Sequence, residues 1–485
     1  MKLTVKKTRR ISIVLGLIMM LTVVLASCVD LNDVPGIVDN ESWVQNNSVA
    51  EESEISEEDI PTEEGHTDAP TVADIVNIEP TKVAVYGTCE ENAIIRVTGG
   101  VKDAETVAHG KYYIIEVDIF DRSTLLKITA QAGEELESAA REVVAKKDAT
   151  ADKLLDGNSV SVGMNSLLYF DKMVTDASGD NLYTASQLND IRAYIADTVT
   201  SYYNDRAGRQ EVELIYVLVP NATTLDSSVF PEGVVKPTNS TVYTQICQTL
   251  SQTRATVIDM KSVFEALIAE DAELVKQYGG IFRETDSALS DFGAYITYRE
   301  IMNRIATRFP DAAPRALDEF KWENKLSLGG NLVNYRGLDN TVITEDVVVA
   351  TPNFSLDLGT NGAGSSKISS LKKFTDAEGG DYSYFIKNDA NDGVNGIAER
   401  WLINDTTRTD VDLPSALIYR DYSSLSFADI LTERFAKCLL GKSGELAINL
   451  SASGQYADDG DSVVDYIIVI VSEENLDTAF SLAVK

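Results

Sequence analysis

The side chains best placed to do chemistry lie in Ala416-Leu-Ile-Tyr-Arg-Asp-Tyr-Ser-Ser424. An apolar, β-prone run over 416–419 ends in a polar corner over 420–424, and a helix-like segment follows over about 427–440. Side chains at the carboxyl end of a strand in an α/β sheet project into an open crevice, where such enzymes present a nucleophile. Ser423 and Ser424 carry hydroxyls, and Asp421 carries a carboxylate that accepts a proton. Tyr422 carries a phenol, a poor nucleophile near its usual pKa of about 10. A carboxylate base is less well matched to neutral pH unless it is desolvated. The competing reading is structural: Ser and Asp ahead of a helix commonly cap it or close the turn. That reading is preferred.

The chain has two histidines, His66 and His109. Neither lies in the second half of the chain, so the segment around the corner has no imidazole base of its own. Losing the base alone typically removes several powers of ten of rate from a hydroxyl-nucleophile triad. His109 would have to be lent by a neighbouring domain.

The elements that must position these groups follow from a pass along the 485 residues, a length for two or three domains. There are 42 basic and 76 acidic residues, a net charge of −34. Such a surface repels nucleic acid and anionic head groups, which sets aside a nucleic-acid partner. Five basic residues between Lys2 and Arg10 precede an apolar stretch over 11–25, and Leu25-Ala26-Ser27-Cys28 closes it with small residues. That ending resembles the bacterial lipobox. The resemblance implies removal of residues 1–27 as a signal peptide, lipidation of Cys28, and an extracytoplasmic protein held on the membrane by its lipid. The other cysteines, Cys89, Cys247 and Cys438, are isolated and odd in number, so neither a disulfide framework nor a zinc site is expected.

Residues 28–80 read as an acidic disordered tether, rich in Glu, Asp, Ser and Pro and without sustained apolar periodicity. Residues 81–146 read as short strands forming a small β-sandwich. Gly87-Thr-Cys-Glu-Glu-Asn-Ala93 resembles the opening of bacterial immunoglobulin-like surface modules, with a spacer role. Residues 147–485 alternate strand and helix, the pattern of an α/β domain of three layers. Within it Val212-Glu-Leu-Ile-Tyr-Val-Leu-Val219 and Val463-Val-Asp-Tyr-Ile-Ile-Val-Ile-Val471 are apolar enough to be central strands of a largely parallel sheet. Helices are expected over 185–203, 241–254 and 292–309. Residues 321–381, rich in Gly, Asn and Ser, read as an insertion or long loops over the crevice. Asn388-Asp-Ala-Asn-Asp-Gly393 matches a calcium loop only superficially, since Ala390 stands where a ligand is needed. No metal and no cofactor is expected. The aromatics Tyr203, Tyr295, Tyr298, Trp322, Trp401 and Tyr419 are candidates for sugar stacking, with core packing the default for most of them.

Several blocks, in order, resemble the alginate O-acetyltransferase-like group of SGNH-hydrolase-like envelope proteins, including the branch named for an Asp-His-His-Trp motif. They are Gly163-Met-Asn-Ser-Leu-Leu-Tyr-Phe170, Leu218-Val-Pro-Asn221 with Val229-Phe-Pro231, Thr285-Asp-Ser-Ala-Leu-Ser-Asp-Phe-Gly-Ala-Tyr295, Leu413-Pro-Ser-Ala-Leu-Ile-Tyr-Arg-Asp-Tyr422 and Asp465-Tyr-Ile-Ile-Val-Ile-Val-Ser-Glu-Glu-Asn-Leu476. The resemblance implies an SGNH-hydrolase-like fold and acyl transfer by a Ser-His-Asp unit. By position its Asp is Asp286, its His position holds Ala288, and its Ser position holds Tyr422. The opening Gly-Trp is Ser166-Leu167. Two of three catalytic groups are missing, leaving Ser423 and Ser424 as fallback nucleophiles. The reading is therefore a surface lipoprotein with a catalytically degenerate domain. It binds envelope polysaccharide or scaffolds polysaccharide-modifying proteins. The alternatives are an active O-acetyltransferase or acetylesterase with a relocated serine, and a purely structural surface protein.

Overall fold

The computed structural model describes residues 54–55, 60–151, 159–204, 212–236, 238 and 240–354. Of the remainder it describes 371–375, 381–387, 401–405, 412–421, 423, 427–435, 437–441, 446 and 464–484. The first part is all antiparallel. Strands β1 (Asp74–Glu79), β2 (Lys82–Thr88) and β5 (Tyr112–Asp118) make one sheet. Strands β3 (Ile94–Thr98), β4 (Ala104–Val107), β6 (Thr124–Gln131) and β7 (Arg141–Ala145) make another, in the order β7-β6-β3-β4, and Glu54–Ile55 pairs along β7. The sheets share a core because alternate residues point inward. Val83, Val85, Tyr113 and Ile115 face Ile95, Val97, Leu126 and Ile128. This lobe starts earlier than composition indicates. Residues 74–79, assigned above to the tether, are a strand with Ile75 buried, because a single short strand disappears into an acidic average. His66 is likewise held, its Nδ1 2.7 Å from the Glu137 carbonyl.

A tight hairpin, β8 (Val160–Val162) and β9 (Leu168–Phe170), follows and leads into α1 (Asp171–Ser178). It does not start the large sheet. It packs on the outer face of β2 and β5, where Tyr86, Tyr112 and Ile114 meet Val160, Tyr169, Phe170, Phe230, Leu332 and Ile343.

The large sheet is built from β10 (Glu213–Val219), β11 (Thr256–Asp259), β14 (Trp401–Asp405), β15 (Ser415–Arg420), β16 (Lys437–Gly441) and β17 (Tyr466–Ser472). The order is β11-β10-β17-β15-β16-β14, parallel throughout except for the antiparallel edge pair β16–β14. Helices cover both faces, which is why β10 and β17 read as unbroken apolar runs. Leu214, Tyr216 and Leu218 pack with α2 (Ala185–Asn204) and α3 (Val242–Leu250). Ile215, Val217 and Val219 pack with α4 (Met260–Glu270) and α5 (Asp291–Ala306). Tyr295, Tyr298 and Tyr419 are core residues. Among the described residues no helix is long and apolar enough to cross a membrane.

Two expectations are corrected. The helix over 427–440 is shorter: α7 (Ala428–Glu433) ends and Lys437-Cys-Leu-Leu-Gly441 becomes β16. Its apolar residues are taken by the sheet, pairing with β15 and β14. The segment 321–352 is no loose insertion. β12 (Phe320–Leu328) and β13 (Thr344–Pro352) form a nine-residue antiparallel pair, with the short helix α6 (Asn331–Arg336) between them. Alternation on β13 decides it: Val347 and Val349 face inward although the surrounding sequence is polar.

α5 opens with Ser290 as cap, its Oγ accepting from the Gly293 N–H at 3.0 Å. Asp291 beside it is buried, Oδ2 accepting from the Ala350 N–H at 2.8 Å, and burial pushes its carboxyl up to about 7. An unfolded Asp ionises near pH 4. The folded chain therefore keeps a proton that the unfolded chain has lost, and this stability fades as pH rises toward 7. Thermal melts from pH 5 to 8 should show a fall in Tm that is smaller in Asp291→Asn, which retains the acceptor. Identical slopes in the two proteins would remove Asp291 from the account.

Candidate active-site crevice

Sheets of this kind open their ligand crevice beyond the carboxyl ends of their strands, here β15, β17 and β10. This is the topological switch point, since the chain leaves β10 toward β11 on one side and β15 toward β16 on the other. Asp421, the residue after β15, is buried and acts as a knot. Its Oδ1 accepts from the Ser423 N–H at 3.0 Å and the Ser423 hydroxyl at 2.5 Å. Its Oδ2 accepts from the N–H and hydroxyl of Ser472, both at 2.6 Å, and from Asn475 Nδ2 at 3.2 Å. The corner is thus an Asx turn stapled to the end of the neighbouring strand. Ser423 is buried within it. Tyr422 and Ser424 lie outside the described residues, as does Cys28.

Asp286 sits in a turn between α4 and α5. The turn is closed by an Arg283 N–H to Ala288 carbonyl bond of 3.1 Å and by pairing of Phe282 with Leu289. Its Oδ1 accepts from the Ala288 N–H at 2.9 Å and its Oδ2 from the Asn331 N–H at 3.1 Å. Asn331 completes a latch, Oδ1 accepting from the Ser287 N–H at 3.0 Å and Nδ2 donating to Ser287 Oγ at 2.9 Å. Gly330 is required here: a Cβ would lie 2.5 Å from Asp286 Oδ2. Behind the turn Glu345, on β13, is almost wholly buried. Its Oε1 accepts from Arg283 Nε at 2.5 Å, and its Oε2 from the N–H groups of Glu284 and Thr285 at 2.8 and 3.1 Å.

The third contribution comes from the end of β17. Glu473 is buried, Oε2 accepting from the Asn221 N–H at 3.0 Å and Thr224 Oγ1 at 2.6 Å, and burial pushes it up to about 7. Glu474 is partly buried and pushed up to about 8, first by desolvation, then by the Asp421 carboxylate, with Asp286 and Asp176 adding to it and Lys172 opposing. Glu474 therefore senses the charges of both sequence-derived positions, Asp421 and Asp286, and the structure brings these to one crevice. Sequence reading did not single out Glu474, Asn331 or Glu345. For Glu474 a signal exists, a pair of carboxylates directly after an apolar parallel strand; for the other two there is none.

No histidine lies among the described residues of the turn and the corner. Ala288 offers backbone only. His109 Nε2 lies 2.7 Å from Glu284 Oε2, two residues before Asp286, at the junction with the antiparallel lobe. Among the described residues no group of three or more His, Cys, Asp or Glu is arranged to hold a metal ion. Burial pushes the thiols of Cys89 and Cys247 up to about 12, away from reactivity.

Residues 177–352, which hold α5, Asp286 and the β12–β13 pair, match the family model of the SGNH hydrolase-like domain of the acetyltransferase AlgX. Over these residues the chain is similar to this alginate O-acetyltransferase-like family. No curated protein matches it by sequence. Three solved structures are similar to this chain. Bacillus cereus PatB1 with a sulfonyl adduct has 13% identity, TM-score 0.42, and covers 65% of this chain and 97% of that one. A DHHW family protein from Eubacterium siraeum has 12% identity, TM-score 0.40, and covers 63% and 88%. Pseudomonas aeruginosa AlgX has 14% identity, TM-score 0.39, and covers 69% and 67%. In the SGNH-like domain described here the turn that carries Asp286 depends on Glu345. Glu345→Ala leaves Arg283 its bond to Ser327 but removes its buried carboxylate partner, and removal of one partner from a buried pair costs about 3 kcal/mol or more. Urea unfolding should report a loss of that size, with Glu345→Gln intermediate; a loss below about 1 kcal/mol, the range of exposed pairs, would contradict the turn's dependence on this carboxylate.

Proposed function

We propose that this chain is a lipid-anchored surface protein, held by Cys28, whose SGNH-like domain has lost acyl transfer and uses its crevice to bind envelope glycan. The supporting observation is the state of Asp286. In a Ser-His-Asp unit that carboxylate orients an imidazole and stabilises it as it takes the serine proton. Here both of its oxygens accept backbone N–H groups, from Ala288 and Asn331, and the histidine position is an alanine. The antiparallel lobe, expected to be an immunoglobulin-like module, would set the crevice away from the membrane. Glycan is the substrate class that the family resemblance brings; scaffolding of polysaccharide-modifying proteins is the form this reading takes if no glycan binds.

One contact favours a second reading, a relocated nucleophile. Ser423 Oγ donates to Asp421 Oδ1 at 2.5 Å, a serine with a carboxylate partner. Against it, the same carboxylate also accepts from Ser472 and Asn475, and Ser423 is buried in the knot.

The chain expressed from residue 29 should release no acetate from an aryl acetate or an acetylated glycan, and a fluorophosphonate probe should leave it unlabelled. It should bind an envelope polysaccharide with a Kd below about 1 mM, the affinity of a few well-placed contacts. Turnover and labelling that vanish in the Ser423→Ala/Ser424→Ala double variant would replace this function with the relocated nucleophile. Silence in both assays would leave scaffolding.

A further inference from the structure

The antiparallel lobe grips the Asp286 turn. An apolar interface carries the contact: Tyr86, Tyr112 and Ile114 lie against Phe170, Leu332, Val333 and Ile343. Polar contacts then fall on the segments that hold Asp286. Arg336, the last residue of α6, pairs with Glu116 of β5. The Asp339 N–H, three residues on, donates to the Tyr86 hydroxyl at 3.2 Å. Ser166 is fully buried, in left-handed backbone at φ 60°. It donates from Oγ to the Val107 carbonyl at 3.0 Å and accepts from the Ile114 N–H at 3.2 Å. His109 Nε2 meets Glu284 Oε2 at 2.7 Å. α6 begins at Asn331, the Asp286 latch, and Glu284 lies within the same turn.

We infer that His109 is a positioning residue for the crevice, its imidazolium clasping Glu284 and so holding the 284–287 turn against the antiparallel lobe. The groups around it are on the page. Glu284 bonds to it from the turn, Glu345 adds negative charge from β13, and Arg283 is itself tied to Glu345. On its own side the backbones of His109 and Tyr112 pair, and the Tyr112 ring stands 5.7 Å away in a tilted contact. Both facing charges that bear on the imidazole are negative, and its pKa is raised above the usual 6.5, first through the Glu284 hydrogen bond. A raised histidine lends stability that is complete below its ordinary pKa and lost as pH rises through the folded value. The clasp is therefore closed in mildly acidic surroundings and slackens on the alkaline side. This concerns the order of the turn, so it stands or falls separately from glycan binding.

The test is native-state hydrogen exchange of the intact chain from residue 29, read on the peptide spanning 283–289 at pH 5.5 and 8.5 after correction for intrinsic exchange. The pair is partly exposed, so wild type should lose protection by about two- to five-fold across this range. His109→Gln and Glu284→Gln should each show the alkaline level at both pH values. The peptide covering β10, remote from the clasp, should not respond. Asp291 and Glu474 titrate nearby, so a step that persists in both variants would assign the effect to them and overturn the clasp. A wild-type turn with equal protection at both pH values would overturn it as well. If His109→Gln fails to fold by circular dichroism, Glu284→Gln carries the test, its side chain being about half exposed.

Discussion

The site rests on the burial of the Glu345 carboxylate. The turn's own backbone pairing joins Phe282 to Leu289 and Arg283 to Ala288, and the N–H groups of Glu284 and Thr285 inside it must find acceptors once the chain packs over them. Glu345 supplies them for Glu284 and Thr285 and neutralises Arg283 at once. A carboxylate so placed is stable only while its guanidinium and N–H partners stay together. The turn, the β12–β13 pair and α6 are therefore one cooperative piece. Asp286, Ala288 and the contact with His109 inherit their positions from it. Gly293 belongs to the same packing, since a Cβ there would collide with the Ile281 carbonyl. α5 starts hard against the turn's entry.

Among the described residues the electrostatics at these strand ends are dominated by carboxyl groups. A hydroxyl-nucleophile site pairs one carboxylate with one imidazole so that a proton can leave the hydroxyl and return. Here carboxyl groups face carboxyl groups. Glu473 and Glu474 are raised toward or past neutrality chiefly by burial, and Glu474 further by Asp421 and Asp286. Raised carboxylic acids donate hydrogen bonds at neutral pH, a property suited to holding hydroxyl-rich ligands. The chain's net charge of −34 acts in the same direction, disfavouring polyanionic ligands at long range.

What was legible in the sequence follows the range of the forces concerned. β10 and β17 are legible because burial on both faces writes an unbroken apolar run into six consecutive residues. The corner at Asp421 is legible because an Asx turn is made by neighbours in sequence. The segment 321–352 misleads because its pattern is sparse: Gly329, Gly330 and Asn331 suggest loop, while the pairing of β12 with β13 depends on alternation at Val347 and Val349. The end of α7 misleads because Cys438 to Leu440 fit a helix face or a strand equally well, and only the vacant sheet edge decides. Glu345 and Asn331 are illegible, since their partners lie about 60 and 45 residues away and no local spacing records them. His109 reads as remote from the site for the same reason: 175 residues separate it from Glu284, and only the docking of the two lobes brings them together.

Asp286, the position that the family resemblance assigns to the catalytic carboxylate, has a structural reason to be there. Were its sole partner an imidazole, replacing that histidine by alanine would leave a buried carboxylate unpaired, a change costing several kcal/mol. Its presence beside Ala288 would then demand explanation. The structure supplies it. The Ala288 N–H and the Asn331 N–H both donate to Asp286, and neither depends on the side chain at 288. The carboxylate thereby caps α6 and closes its own turn, roles typical of Asp wherever backbone donors are left over. Its persistence is accounted for by fold alone. The hydroxyl at the other side is that of Ser423, which shares Asp421 with Ser472 and Asn475, in a domain whose sequence holds no histidine.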